Sequence, residues 1–377
     1  MSIFDEEIDR TKSCCEKWDK YKGHDVIPMW VADMDFKSPQ PIIDALHTRV
    51  EHGVFGYTGV DKSTNRAVVN FIKRHYDWTI KPQWIVWLPG VVSGMNIACN
   101  TIETDDIIIT TPIYPHFIKA PQNAGKNTIK VPMIEIKDRW TIDFDEFESK
   151  ITPTCKLFML CNPYNPGGTV FTKDELEKLS TICLKHDITI CSDEIHADLI
   201  LNPNAKHIPI ASLNKEIEQK SITLFAPSKT FNIAGLQSSY AVIPNLKIRK
   251  SFERTSGNIV SGVNLLALTA TKTAYTTCDD WLAKLRIYLK ENLDLVEEFV
   301  EKHPKLKLLK QDATFLAWID VGKLNLENPY EFFVTHGVGL SEGDRFGNKN
   351  FIRLNFGTPK KLLKKGLERM DKALKDR

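Results

Sequence analysis

No apolar run in this sequence approaches the ~18 residues that a membrane-crossing helix needs, so a membrane-embedded chain is not expected. The opening stretch, MSIFDEEIDRTKSCCEKWDKYKGHD, is charged throughout and lacks the apolar segment of a secretory signal, which points to a cytoplasmic protein. An excess of one charge is missing as well. Lys and Arg number 50 against 48 Asp and Glu, and a net charge of +2 gives no reason to expect nucleic acid or a membrane surface as partner. The eight cysteines (Cys14, Cys15, Cys99, Cys155, Cys161, Cys183, Cys191 and Cys278) form no CxxC pair and no close Cys/His spacing. Reduced, mostly buried thiols and no metal site are therefore expected. Internal repeats and low-complexity segments are also absent.

What is present is ordinary globular composition, 42% hydrophobic and 26% charged, on a chain of 377 residues. That length exceeds the roughly 100–200 residues of one domain, so a large domain with a smaller companion, or two comparable ones, is expected. Short apolar runs repeatedly end in turn and polar residues: DDIIITTPIYPHF, CKLFMLCNPYNPGG, ITICSDEIH and SITLFAPSKTF. Helical patterns lie between some of them. The clearest is TKDELEKLSTICLKHD, where Thr172 and Glu175 form a capping box and Leu176, Leu179 and Cys183 share a face. Such alternation predicts an α/β fold, a mostly parallel central sheet flanked by helices, with ligands outside the carboxyl ends of the strands.

Further on, Leu282, Leu285, Leu289, Leu293, Val296 and Val300 fall at helical spacing and Pro304 stops the pattern, which predicts a long connecting helix. Beyond it KLKLLKQ, TFLAWIDV and FIRLNFG read as strands of a smaller α+β unit, with a break near residue 275.

The chemistry sits in the loops. Lys229, in APSKTF, ends an apolar run; a lysine attacks a carbonyl only when its amine is neutral, and an arbitrary loop lysine is simply solvated. Its companions change those odds. Asp193, in ICSDEIH, can keep a pyridine nitrogen protonated, or cap a helix or turn. Asn165, in CNPYNPGG, can donate to a phenolate oxygen, or only shape a turn. Gly90 and Gly94 bracket a turn into a helix, where the amides near Val91 and Val92 can hold a phosphate. Tyr114 offers a ring to cover a flat cofactor, or packs its loop. Arg353, between Ile352 and Leu354, suits a substrate carboxylate or a structural ion pair equally.

In this chain order the segments resemble the fold-type I pyridoxal-phosphate enzymes of the aminotransferase class I/II superfamily. Within it they are most similar to the MalY/PatB family of carbon-sulfur β-lyases, through MWVADMDF (29–36), SDEIHADL, PSKTFNIAGLQ and RLNFGTP (353–359). The resemblance spans nearly the whole chain. It implies a large cofactor-binding domain over 46–275 and a small domain from 1–45 and 276–377. It implies pyridoxal 5'-phosphate held by Lys229 as a Schiff base, with Asp193 at the pyridine nitrogen, Asn165 and His196 at the phenolate oxygen and Tyr114 stacked on the ring. Arg353 would clamp the substrate α-carboxylate. Tyr57, in FGYTG, would reach the cofactor phosphate of a neighbouring subunit, which implies a homodimer with shared sites.

Two departures from the wider superfamily fit the lyase family better. Gln237 stands where many aminotransferases carry a phosphate-binding arginine, and Ala226 where many have serine, leaving Ser228 to supply the hydroxyl. The activity implied is β-elimination from a sulfur-bearing L-amino acid: cystathionine to homocysteine, pyruvate and ammonia, or cysteine to sulfide, pyruvate and ammonia. Lys229 would act as the base at Cα. An aminotransferase is the alternative, and an added regulatory role with a protein partner a more distant one. The sequence leaves the choice among sulfur amino acids open.

Overall fold

Apolar β-branched runs form the strands at the centre of the molecule. Eight of them make one sheet in this computed structural model, which describes residues 2–257 and 259–376. Residues 1, 258 and 377, two of them outer limits of the expected small domain, lie outside the described residues. In chain order the strands are β1 (Ile85–Leu88), β2 (Asp106–Thr111), β3 (Asn127–Ile136), β4 (Arg139–Ile142), β5 (Cys155–Cys161), β6 (Thr189–Asp193), β7 (Ser221–Phe225) and β8 (Ser239–Val242). They lie side by side as β1-β8-β7-β6-β5-β2-β3-β4. The five strands from β7 to β3 pair in parallel; β8 is antiparallel to both neighbours, and β4 returns antiparallel along β3.

Alternation along each strand gives the sheet two apolar faces. Ile107, Ile109, Leu157 and Met159 pack with α1 (Val91–Thr101) on one side. Ile108, Phe158, Leu160 and Ile190 face the other, against α2 (Lys173–Lys185). That second helix begins as expected: the Thr172 side chain accepts from the Glu175 amide, and Glu175 reaches back to the Thr172 amide at 2.7 Å. Leu176, Leu179 and Cys183 are its buried stripe.

The long helix α3 (Asp279–Glu301) buries Leu282, Leu285, Leu289, Leu293, Val296 and Val300. Buried Asn292 adds a polar tie, its amide donating to the carbonyls of Phe356 (2.9 Å) and Thr358 (2.8 Å). Beyond α3 lies a four-stranded antiparallel sheet, β9 (Lys307–Leu308), β10 (Leu316–Asp320), β11 (Ser341–Glu342) and β12 (Phe351–Asn355), in the order β9-β10-β12-β11. The strand expected over KLKLLKQ shrinks to two residues. Its C-terminal part leaves the sheet, Lys310 N bonding Asp138 O, and just beyond it the Asp312 carbonyl accepts from Leu201 N.

The chain start joins this C-terminal part, because Ile27–Pro28 pairs in parallel with Val338–Gly339. The expected domain limits at 45/46 and 275/276 fall inside the helices Gln40–Glu51 and Leu265–Thr277. Of the eight cysteines, all free, only Cys14 is exposed. No helix among the described residues is long and apolar enough to cross a membrane.

Candidate active site

The parallel pairing puts the C-terminal ends of β2, β5, β6 and β7 on one edge of the sheet, and the loops that leave this edge carry the singled-out residues. They surround a cavity of about 670 Å³. Val91 and Val92 enter it after β1, Tyr114 after β2, and Asn165 after β5. Asp193 ends β6 with His196 one turn on, and Ser228 and Lys229 follow β7. Arg353 comes across from β12. Tyr57 is absent from the lining; its side chain is fully exposed on a loop that also exposes Val54 and Phe55.

Helix α1 begins at the cavity wall with Gly90 as its cap. Gly90 has φ +107°, which glycine adopts without the penalty of a side chain, and it brings no capping group of its own. The first amides of α1 therefore remain available to an anion, aided by the helix dipole. Ser228 also lines the cavity.

Asp193 is buried at the register point opposite Cys161. One carboxylate oxygen accepts from the Ile195 amide (3.1 Å), so the turn role exists beside any role in the cavity. Burial pushes its pKa up to about 7, helped by Glu194 and opposed by the Ile195 amide and Lys229. His196 is buried too, its Nδ1 has no partner, and burial with the cations Lys229 and Arg353 lowers its pKa to about 3. It stays a neutral imidazole.

The Lys229 amine donates to the Ala32 carbonyl at 2.6 Å. Burial lowers its pKa to about 8; Asp33 and Asp193 oppose this and Arg353 adds to it. Arg353 is buried and stacked 4.6 Å over the Phe346 ring. Its guanidinium donates to Asn165 Oδ1 (3.1 Å), the Trp30 carbonyl (3.1 Å) and Ser341 Oγ (3.3 Å), while Nε has no partner. No carboxylate among the described residues pairs with it, which removes the structural ion-pair reading. Burial brings its pKa down to about 10.

Several contributors escape a reading of side chains in sequence. The strap 30–36 enters the site through its carbonyls. Glu194 is fully buried behind Asp193, accepting from Ser192 Oγ (2.9 Å) and bonded to His207 Nε2 (2.8 Å). Asp198 accepts from the Tyr76 hydroxyl and from Thr230 Oγ1 (2.7 Å), the residue next to Lys229. Three carboxylates of SDEIHADL thus divide into one that faces the cavity and two that brace it.

The cavity suits a ligand with three features: an anionic group for the α1 amides, a basic ring nitrogen for Asp193, and a carbonyl within reach of Lys229. The unpartnered His196 Nδ1 waits for a polar atom of the same ligand.

A model of the aminotransferase class I and II family matches residues 24–370. Cystathionine beta-lyase PatB of Bacillus subtilis (strain 168) is 37% identical over 98% of this chain and 99% of its own. The crystal structure of OvoB superposes with a TM-score of 0.96 at 43% identity, covering 98% of both chains. The pyridoxal-phosphate-bound C-S lyase from Staphylococcus hominis superposes with a TM-score of 0.91 at 33% identity, over 98% of this chain and 97% of that one.

Proposed function

The chain belongs to the aminotransferase class I and II family, and from that premise we propose a pyridoxal-phosphate-dependent carbon-sulfur β-lyase that cleaves sulfur-bearing L-amino acids. The observation that carries this reading is the meeting of Lys229, Asp193 and Arg353 around one cavity at the carboxyl edge of the sheet. When bound, pyridoxal phosphate supplies the electron sink that no side chain provides. Asp193 would hold the proton on the ring nitrogen and would itself stay ionised beside it. Val91 and Val92, at the start of α1, and Ser228 would hold the phosphate. Asn165 and the neutral His196 would face the ring oxygen, and Tyr114 would cover the ring.

Arg353 orients the substrate by its α-carboxylate. Lys229 then removes the Cα proton, and its lowered pKa of about 8 leaves a usable neutral fraction near physiological pH. The sulfur departs from Cβ as thiolate, and hydrolysis of the remainder gives pyruvate and ammonia.

The support for carbon-sulfur cleavage over transamination is the PatB and C-S lyase resemblance together with Gln237, which is exposed on a left-handed turn outside the cavity. We propose further that residues 46–275 form the large cofactor-binding unit and the two ends the smaller one. We propose also a homodimer in which Tyr57 reaches the neighbouring site. The exposed Val54, Phe55 and Tyr57 support that assembly, being an apolar stretch that a free monomer would leave in water.

Purified protein given pyridoxal phosphate and L-cystathionine without any 2-oxo acid is expected to release pyruvate and thiol in equal amounts over many turnovers. Turnover that requires an added 2-oxo acid would overturn the lyase reading in favour of an aminotransferase. Arg353→Lys loses the planar fork, and KM is expected to rise by roughly 10- to 100-fold with a smaller change in kcat. Steady-state kinetics with L-cystathionine check this; an unchanged KM would remove Arg353 from substrate binding.

A further inference from the structure

The strap Trp30–Phe36 has no regular secondary structure, yet side chains occupy most of its carbonyls. Trp30 O accepts from Arg353 (3.1 Å) and Ser341 (2.8 Å). Asn355 Nδ2 donates to Val31 O (2.6 Å) and Asp33 O (2.7 Å), and Asn232 Nδ2 to Met34 O (2.9 Å) and Phe36 O (2.7 Å). Between them, Ala32 O holds the Lys229 amine at 2.6 Å. Lys229 and Arg353 thus rest on carbonyls two residues apart on one piece of backbone.

Behind the strap lies a balanced charge cluster. Asp35 is buried and receives Lys17 Nζ (2.7 Å), Arg10 Nη1 (2.7 Å) and Trp18 Nε1 (3.1 Å). Asp33, next in chain to Ala32, receives Arg10 Nη2 at 2.7 Å, with Lys17 3.7 Å away. Arg10 bridges both carboxylates. Neither Arg10 nor Asp33 lines the cavity.

We propose that Arg10 and Asp33 are positioning residues that set the proton affinity of Lys229 from behind the strap. The inference rests on the reading of Lys229 as the lysine that performs the chemistry. Four charged or titratable groups interact electrostatically with the Lys229 amine: Asp33 through the strap, Arg353 from β12, and Asp193 and His196 from the end of β6 and its loop. Asp33 is the strongest of the charged neighbours acting on Lys229 and favours the ammonium form. Its pairing with Arg10 restrains that effect, since Arg10 offsets the carboxylate field at short range. Removing the negative partner should make the amine easier to deprotonate, and removing the positive partner should make it harder. A cluster that only stiffened the strap would not produce shifts of opposite sign.

The experiment is competitive acetylation of the full-length, cofactor-free protein with trace acetic anhydride over about pH 6 to about pH 10, with Lys229 followed by peptide mass spectrometry. The wild-type midpoint is expected at about 8. Asp33→Asn should move it down, and Arg10→Gln up, each by about one pH unit. Arg10→Lys should return it to within about 0.3 of wild type, because the charge is kept. Midpoints that stay put in folded variants, or that move in the same direction, would overturn the proposal.

Should Asp33→Asn fail to fold, Arg10→Gln decides alone. An upward midpoint there supports the dyad, and an unmoved or lower one overturns it. Borohydride trapping of pyridoxal phosphate on wild-type protein separates the two readings. No label on Lys229 would refute the proposed function itself, whereas a labelled Lys229 with unmoved midpoints refutes only the role of Arg10 and Asp33.

Discussion

Lys229→Ala is expected to lower turnover of L-cystathionine by roughly 10⁴-fold or more, because one amine serves both as covalent anchor and as base at Cα, each role large by itself. Lys20 and Lys119 also line the cavity but are exposed at its rim, and the Lys20 amine lies over the Trp30 ring at 4.5 Å. Neither shares the half-buried position beyond β7 where desolvation of the amine lowers the Lys229 pKa to about 8. The replacement leaves the Ala32 carbonyl without its donor and a space the size of a lysine side chain. A small primary amine added to the assay should therefore restore part of the rate. Turnover, borohydride trapping and thermal unfolding measured on one preparation check the expectation. A folded variant that keeps more than about a tenth of wild-type turnover would exclude Lys229 as the base.

The cavity-facing part of this site is legible in sequence because its side chains stand at strand ends, where apolar runs stop and turn residues begin. Lys229 after SITLF, Asp193 after ITIC and Asn165 after CKLFMLC each follow a run that the structure makes a buried strand. The α2 capping box and the stripe of α3 are legible for a related reason, since both are set by local spacing. The strap 30–36 is not legible, because it contributes main-chain carbonyls, and any residue sequence supplies those. MWVADMDF marks family resemblance, but nothing in its side chains says that Ala32 O meets Lys229. The division of labour within SDEIHADL is equally hidden. Asp193, Glu194 and Asp198 are the same functional group, and only the topology decides that Asp193 faces the cavity while His207 and Tyr76 receive the other two. KLKLLKQ fails in the opposite direction, its period-two pattern overridden when the chain turns away to bond Asp138 and Leu201.

Asp193→Asn is expected to separate stability from activity. In the cofactor-free protein the carboxyl has a pKa of about 7 against the usual 3.8. Below the lower value both folded and unfolded chains hold the proton, and the group is neutral to stability. As pH rises from 3.8 to 7 the unfolded chain gives up its proton first, so stability falls, and above 7 the penalty is complete and constant. At about 1.4 kcal/mol per pH unit the loss is on the order of 4 kcal/mol. Asparagine carries no such charge. The cofactor-free variant should therefore unfold at a higher temperature than wild type at about pH 8, with the difference shrinking toward about pH 4. The loaded variant should lose at least ~10²-fold in turnover, because a neutral amide cannot keep the ring nitrogen protonated. Saturating pyridoxal phosphate should reverse the order of stability, since the wild-type carboxylate then gains its cationic partner and the variant does not. Paired melting curves with and without the cofactor at both pH values decide the matter. A cofactor-free variant less stable than wild type at the higher pH would show that the buried carboxylate is already compensated by partners other than the ring nitrogen. Retained turnover would show that the proton on that nitrogen has another keeper.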